Sequence, residues 1–277
     1  GTILVVQKDK ILLHKGYGLK SHHQEKQPDE NTLYVTGGLT EMFTSALVFR
    51  LQEEGKLSIK DTLSKYLPGF PFSDRVTIGH LLSHTSGIYD YMMDDSLYMM
   101  GTTTPRERKD ITGIIKRMPL SSEPGKEYKP STSDYYLLGM VVEKVTGTSY
   151  YEAMHKYIIT PLGMENTGFN YGGFGSWDKS QGYSILNYQR MLPAFPIDST
   201  VSFASGALFT GTKGMQKLAQ AMLGNKLLKK SSWQTMTTAQ ADSFAYGFEV
   251  RELAGRKAIG HTAETYGYVH CFYVLPE

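Results

Sequence analysis

Short runs of hydrophobic and β-branched residues mark both ends of the chain. Near the start, residues 3–6 and 11–13 form two such runs on either side of the charged residues 8–10. This arrangement predicts a β-hairpin. Near the end, three further runs are short, rich in β-formers and bounded by turn residues: 246–252, 257–261 and 268–274. The pattern therefore predicts that the chain begins and ends in sheet.

Helical spacing of apolar residues dominates the region between the predicted strands. The first stretch contains apolar residues three or four positions apart, followed by Gly55 as a stop signal: Leu39, Met42, Phe43, Ala46, Leu47 and Leu51. This spacing predicts a buried helix over 39–51. Residues 61–168 continue as helical segments broken by Gly and Pro turns, and a further helix is predicted over 215–222, ending near Gly224.

The order of these elements predicts the fold class and a domain division. We expect an α/β (α+β) fold in which residues 1–60 and 200–277 together form a discontinuous sheet domain. Residues 61–199 then form a mostly helical inserted domain. Both ends interrupt a strand-like pattern, so both termini are expected to be truncated, with any targeting segment removed.

Composition narrows the class of protein. The 277 residues are 40% hydrophobic and 20% charged, which is typical of a globular chain and argues against disorder. The formal net charge is only +2, without a long basic block, so nucleic acid is not an expected partner. Cys271 is the single cysteine, which excludes an internal disulfide and a cysteine metal cluster, and its apolar strand suggests a core thiol. No apolar run reaches the length of a membrane span.

Six segments carry a family resemblance that covers nearly the whole chain. They include Val-Thr-Ile-Gly-His-Leu-Leu-Ser-His-Thr-Ser-Gly at 76–87 and Thr-Pro-Leu-Gly-Met at 160–164, and the others are 51–58, 65–68, 136–139 and 145–147. The chain resembles the serine β-lactamase and penicillin-binding protein superfamily, in particular its class C-like hydrolase and esterase branch. The resemblance implies an antiparallel sheet flanked by helices, an inserted all-α subdomain and a cleft between them.

The resemblance also implies three catalytic motifs, and this chain departs from each of them. Members of the family use Ser-x-x-Lys at the start of the first long helix, then Tyr-x-Asn, then a Lys/His-Thr/Gly-Gly strand motif. At the first motif this chain has Gly38 and Glu41 in place of the serine and lysine. The other two motif positions hold Pro130, Ser131 and Thr132, and His261, Thr262 and Ala263.

These substitutions remove the family's covalent mechanism from the motif positions. Gly38 has no side-chain atom that can form an acyl intermediate, and Pro130 has neither a hydroxyl nor an N–H. A structural role is favoured for the replacements: Gly38 as an N-cap, Glu41 as a favourable charge in the first helical turn, and residues 131–134 as a capping box. We therefore expect a catalytically inactive homologue with a remaining binding or regulatory role.

A cleft that survives such changes is expected to bind a small molecule or a cell-wall-peptide-like ligand. By resemblance, the backbone N–H groups of Gly38 and Glu264 are oxyanion donors, and Ser131 and Thr262 border the same cleft. The side chains of Glu41 and Glu264 are expected to make it a poor site for anions. The resemblance implies an extracytoplasmic location; no cofactor or metal is implied, and the oligomeric state is open.

The alternative is an enzyme with relocated chemistry. In one version Glu41, Glu264 and His261 act as general acid and base. In another a displaced serine is the nucleophile, either Ser131 or Ser133 beside the former tyrosine position, or Ser176 in the literal Ser-x-x-Lys of residues 176–179. Either version predicts a hydrolase acting on β-lactams, D-peptides or esters.

Overall fold

The computed structural model describes residues 1–8, 10–23, 25–173, 175, 178–187 and 190–276. Among them, strands occupy both ends of the chain and helices occupy most of the region between, as the sequence predicts. The strands are β1 Thr2–Gln7, β2 Lys10–Gly16, β3 Tyr34–Val35, β4 Gly182–Asn187, β5 Arg190–Ala194, β6 Phe209–Thr210, β7 Glu249–Leu253, β8 Arg256–Thr265 and β9 Tyr268–Val274. The helices are α1 Thr40–Glu53, α2 Ile78–Leu82, α3 Asp95–Met100, α4 Arg108–Arg117, α5 Thr132–Thr146, α6 Tyr150–Met154, α7 Thr160–Leu162, α8 Ser199–Gly206, α9 Thr212–Leu223 and α10 Lys230–Met236.

The strands pair in antiparallel fashion within small sheets. β1 pairs with β2, which confirms the predicted hairpin, although Asp9 in its turn lies outside the described residues. β7, β8 and β9 form one sheet with β8 in the middle, while β3 pairs with β6 and β4 with β5. The antiparallel pairing explains how such short connections join consecutive strands.

Helix α1 lies at the centre of the core. Met42, Phe43, Ala46 and Leu47 are fully buried, and the polar Thr44 and Ser45 between them are buried as well. A helix that is buried on all sides is surrounded by other elements, here chiefly α8, α5 and the helical turn His155–Ile159. The turn that leads into α1, residues Gly37–Leu39, packs against β8.

Two predicted boundaries differ from the structure. Residues 246–248 precede β7, because Gly247 has a left-handed φ of +78° that interrupts an extended chain. β8 continues to Thr265, four residues beyond the predicted end. The β4–β5 hairpin lies inside the region predicted as mostly helical. The sequence did not predict it, because apolar and polar residues alternate only weakly along these two strands.

One hydrophobic cluster joins residues from both predicted domains. It includes Leu47 of α1, Val141 of α5 and Ile259 of β8. The predicted division into two domains, one formed by residues 1–60 and 200–277 and the other by residues 61–199, therefore stays a prediction. None of the described helices is long and apolar enough to cross a membrane.

Candidate functional site

The three motif positions meet at one cleft of ≈ 230 Å³. Six of its lining residues are candidates that the sequence identified: Gly38, Glu41, Pro130, Ser131, Thr132 and His261. The other five lining residues are His84, Asp90, Tyr128, Phe244 and Glu249. A smaller cavity of ≈ 150 Å³ beside Tyr171 and Phe195 contains none of the motif residues.

Gly38 lies in a 3₁₀ turn, Gly37–Leu39, that leads directly into α1. The N-cap of α1 is Leu39, so the predicted N-cap role of Gly38 is wrong. A Cβ placed on Gly38 would lie 3.5 Å from the Cβ of Ala263 and 3.9 Å from Cε1 of His261, which are ordinary van der Waals distances. The backbone therefore has room for a side chain at the family's nucleophile position.

Glu41 lies in the first turn of α1, as predicted, but its carboxylate contacts a histidine. Oε2 of Glu41 lies 3.1 Å from Nε2 of His84 and 3.7 Å from Nε2 of His261. The Glu41 side chain is only 10% exposed, so this is a buried ion pair at the family's lysine position.

His84 is held between two carboxylates. Nδ1 of His84 lies 2.9 Å from Oδ2 of Asp134, on the opposite side of the ring from Glu41. The hydroxyl of Ser86 donates a hydrogen bond to Oδ1 of Asp134. The result is a continuous buried series of hydrogen-bonded groups that runs from Ser86 through Asp134 and His84 to Glu41 at the cleft.

The pKa values of these groups follow from this arrangement. Burial alone would lower the pKa of His84, but the charge of Glu41 and the hydrogen bond with Asp134 raise it to about 10. Burial would raise the pKa of Glu41, but the His84 charge and the hydrogen bond with His261 lower it. Burial raises the pKa of Asp134 to about 6, against the hydrogen bond from His84. His84 is therefore an imidazolium at neutral pH and Glu41 a carboxylate.

His261 connects Glu41 to a second carboxylate. Its Nδ1 lies 4.0 Å from Oε1 of Glu249, and the hydroxyl of Thr262 donates to the same carboxylate oxygen at 2.9 Å. The ring of Phe244 packs edge-on against His261, with centroids 5.6 Å apart. His261 is thus fixed on the cleft side of β8.

Two predictions about side chains are wrong. Glu264 is exposed and alternates to the opposite face of β8 from His261 and Ala263, so its carboxylate does not line the cleft. The predicted capping box at 131–134 does not form, because Ser131 makes no side-chain cap bond and the Asp134 carboxylate binds His84 and Ser86 instead. The oxyanion role of the Gly38 and Glu264 N–H groups stays a prediction.

Other candidate residues lie elsewhere. Ser133 is buried in α5, where its hydroxyl donates to the Tyr89 carbonyl at 2.6 Å. Ser176 lies outside the described residues. Cys271 is exposed on β9, so the core-thiol prediction is wrong. Among the residues that the structure describes, no group of three His, Cys, Asp or Glu side chains is arranged to hold a metal ion.

Reasoning from sequence missed the central pair of the network, His84 and Asp134. Both lie in stretches of mainly apolar or small residues, 78–88 and 131–142, in which His80 is the other ionisable imidazole. An ionisable residue in a buried stretch requires a hydrogen-bonding or charged partner, so the presence of His84 and Asp134 in such stretches could have indicated a buried polar network. Which partner satisfies it depends on tertiary contacts 50 residues apart in sequence.

Comparison with known proteins identifies the class to which this fold and cleft belong. The family model described as Beta-lactamase matches residues 1–277, and the chain belongs to that family. The resemblance inferred from the motifs, to β-lactamases and penicillin-binding proteins, is thereby confirmed.

Individual relatives agree with this assignment. The chain is 27% identical over 256 residues to PbpX of Bacillus subtilis (strain 168), a match that covers 90% of this chain and 62% of PbpX. The chain therefore spans less than two thirds of that relative's length.

Two solved structures resemble the whole fold. The octameric penicillin-binding protein homologue from Pyrococcus abyssi has a TM-score of 0.86 at 25% identity, covering 99% of this chain and 66% of that one. A D-stereospecific amidohydrolase from Streptomyces sp. has a TM-score of 0.81 at 26% identity, covering 89% and 79%. Related folds thus include hydrolases.

Proposed function

We propose that this chain is a non-acylating member of the β-lactamase family, whose cleft binds a small ligand in a binding or regulatory role. The observation that carries the proposal is the pair of residues at the start of α1. Gly38 offers no nucleophile, and Glu41 engages His84 and His261 where the family has its lysine. Without a side-chain oxygen at position 38, no acyl bond forms there.

The surroundings of Glu41 support the same conclusion. In the family the lysine takes a proton from the serine, whereas Glu41 is a carboxylate whose pKa is lowered and whose Oε2 already accepts from His84. The cleft itself is retained, with ≈ 230 Å³ of space and walls from α1, α5 and β8. A fold that keeps its cleft and lacks its reacting groups is suited to binding.

A second candidate is a hydrolase that activates water. The observation in its favour is the 3.7 Å separation between Nε2 of His261 and Oε2 of Glu41 at the cleft. In that reaction Glu41 takes a proton from water as the water oxygen attacks an acyl carbon, and His261 donates a proton to the leaving group. Ser131 is the alternative nucleophile, since this residue also lines the cleft, although its hydroxyl oxygen is buried.

The test combines turnover with adduct detection. Wild-type protein is incubated with nitrocefin and p-nitrophenyl acetate, and its intact mass is measured after exposure to benzylpenicillin. The double variant Gly38→Ser with Glu41→Lys is the matched comparison. We expect no turnover and no added mass in the wild type, with acylation or esterase activity in the double variant.

The contrary result is equally specific. Turnover by purified wild type would contradict a purely binding or regulatory role, and added mass after benzylpenicillin would contradict the absence of acylation. Loss of that turnover in Glu41→Gln protein that keeps the far-UV circular dichroism spectrum of the wild type, with retention in Ser131→Ala, would establish the water-activating alternative. The reverse pattern would identify Ser131 as a displaced nucleophile.

The proposal extends to ligand class and location. We propose a small-molecule or cell-wall-peptide-like ligand and an extracytoplasmic site of action, both resting on the family resemblance. Fractionation of the native cell, followed by immunodetection, tests the location; signal confined to the cytoplasm would contradict it.

A further inference from the structure

We propose that the cleft selects an organic cation, an ammonium group attached to an apolar or aromatic body, rather than an anion. This inference rests on the proposed binding function and names the class of ligand for the same site. The features that carry it are the charges along the cleft, a stacked aromatic wall and a buried hydroxyl without a partner.

The charge of the cleft is the first feature. Glu41, Asp90 and Glu249 contribute carboxyl groups to the lining, and no lysine or arginine is among the described residues that line it. The lining groups that can carry positive charge are His84 and His261. His84 is already shared between two carboxylates, because Asp134 lies behind it at 2.9 Å.

The immediate neighbours do not reverse this balance. Glu249 binds the Arg251 guanidinium and accepts from Tyr273, and both oxygens of Asp90 accept hydrogen bonds, from the Met92 N–H and the Thr132 hydroxyl. With Asp134 and Arg251 included, the site has four carboxyl groups and at most three cationic groups. The carboxyl groups are Glu41, Asp90, Glu249 and Asp134, and the cationic groups are His84, Arg251 and a protonated His261. The cleft therefore carries an excess of negative charge.

Tyr128 lies close enough to the carboxylates to be affected by them. Burial is the main cause that raises the pKa of Tyr128 to about 12, and the negative charges of Glu41, Glu249 and Asp242 act in the same direction. A phenol resists ionisation when its surroundings already hold negative charge. The contribution of these three carboxylates, as distinct from that of burial, also stabilises a bound cation.

The aromatic wall is the second feature. The rings of Tyr128 and Phe244 stack with centroids 5.2 Å apart and an interplanar angle of 29°, and both residues line the cleft. Ring faces attract cations and also accept apolar groups. The two rings therefore favour a ligand that carries a cationic group and an apolar group.

The unpartnered hydroxyl of Ser131 is the third feature, and it is independent of the charges. Ser131 lines the cleft and is only 3% exposed, yet its Oγ has no hydrogen-bond partner among the described residues. Leaving a buried hydroxyl unpaired costs about 1–3 kcal/mol. A bound ammonium N–H that donates to this oxygen satisfies it, while the charges and the aromatic wall, and not this hydroxyl, favour a cation over an anion.

The experiment compares three probes of similar size and different charge. Binding of 2-phenylethylammonium, 2-phenylethanol and phenylacetate to the wild-type protein is measured at pH 7 by calorimetry or ligand-observed NMR. We expect saturable binding of 2-phenylethylammonium that is at least about tenfold tighter than that of the other two, which corresponds to about 1.4 kcal/mol. Equal binding of the three, or tighter binding of phenylacetate, would overturn the proposal.

Variants locate the site. Glu41→Gln and Tyr128→Leu are each expected to weaken 2-phenylethylammonium by at least about fivefold, since one removes a charge and the other a ring face. The matched control is Glu165→Gln, an exposed carboxyl outside the lining, which is expected to leave the affinity unchanged. Equal weakening by the control would show that binding follows net charge and not the cleft.

The outcomes separate this inference from the proposed function. Wild-type protein that prefers phenylacetate yet gains no mass with benzylpenicillin would refute the cation preference and leave the non-acylating proposal intact. Protein that is acylated by benzylpenicillin refutes the proposed function whichever probe it binds.

Discussion

Nε2 of His84 and Oε2 of Glu41 lie 3.1 Å apart, with the two side chains only 3% and 10% exposed. The residues are 43 positions apart in sequence and meet at the start of α1. Burial of two opposite charges is tolerated only when each is paired and hydrogen-bonded, and Asp134 completes the pairing of His84. The family's lysine position has therefore become part of a buried electrostatic network.

Removing the Glu41 charge is expected to destabilise the fold. Glu41→Gln leaves the His84 imidazolium with one carboxylate, and breaking a buried pair typically costs about 3–5 kcal/mol. Urea denaturation followed by far-UV circular dichroism gives the free energy of unfolding. Glu165→Gln, at an exposed position, is the control and should change it by less than about 0.5 kcal/mol. Equal stability of Glu41→Gln and wild type would show that the pair contributes nothing net.

The stability of the wild type should fall at alkaline pH. The pKa of His84 is raised from 6.5 to about 10 in the folded state, so its stabilising contribution is complete below pH about 6.5 and disappears as the pH approaches 10. The stability difference between wild type and Glu41→Gln should therefore shrink between pH 7 and pH 10. A difference that is constant over this range would contradict a charged His84.

At acid pH, Glu41 and Asp134 are expected to change the free energy of unfolding in opposite directions. The lowered pKa of Glu41 stabilises the fold above its ordinary value of 4.5, and this contribution is lost as the pH falls through the folded-state pKa. The raised pKa of Asp134 works the other way, since its contribution is complete below 3.8 and lost as the pH rises through about 6. In Asp134→Asn, stability should consequently increase less between pH 7 and pH 5 than in wild type, as thermal melts would show.

Two adjacent glycines should respond differently to alanine. Gly38 lies in the 3₁₀ turn with ordinary space for a Cβ, so Gly38→Ala should be neutral or stabilising by up to about 1 kcal/mol. Gly37 has a φ of +53°, and its Cβ would lie 3.1 Å from Cβ of Thr265, so Gly37→Ala should cost about 1–2 kcal/mol. Chemical denaturation of both variants checks the contrast. A large loss in Gly38→Ala would mean that glycine at the nucleophile position is a structural requirement.

The two serines beside Pro130 form another matched pair. The Ser131 hydroxyl is buried without a partner, so Ser131→Ala should raise the free energy of unfolding by about 1 kcal/mol in the absence of ligand. The Ser133 hydroxyl donates to the Tyr89 carbonyl and accepts from the Tyr91 N–H, so Ser133→Ala should lower it by about 1–2 kcal/mol. Thermal melts of the two variants measure both changes. Destabilisation by Ser131→Ala would reveal a partner for that oxygen.

Local sequence patterns predicted the regular elements well. The helix over 39–51 and the helix ending near Gly224 correspond to α1 and α9, and the terminal runs correspond to β1, β2 and β7 to β9. These elements follow from periodicity and turn residues, which act over a few positions. The β4–β5 hairpin escaped because its pattern is weak and its pairing is decided by the surrounding chain.

The site was predicted in part. The motif alignment gave Gly38, Glu41 and His261, and these three residues line one cleft. The prediction was wrong at Asp134. A short acidic residue near the start of a helix is typical of a capping box, but the Asp134 carboxylate lies 2.9 Å from His84. The Asp134 carboxylate pairs with the buried His84 imidazolium and does not cap the helix, because a charge-assisted hydrogen bond is stronger than a typical cap bond.

The sequence by itself determined the family, most of the regular elements and the absence of a nucleophile at Gly38, because each depends on residue type and short-range spacing. Only the tertiary structure decided the partners of Glu41, the exposure of Glu264 and the unpaired hydroxyl of Ser131. Those properties depend on which buried groups meet across the core. Burial strengthens electrostatic interactions between residues distant in sequence, and no local pattern records them.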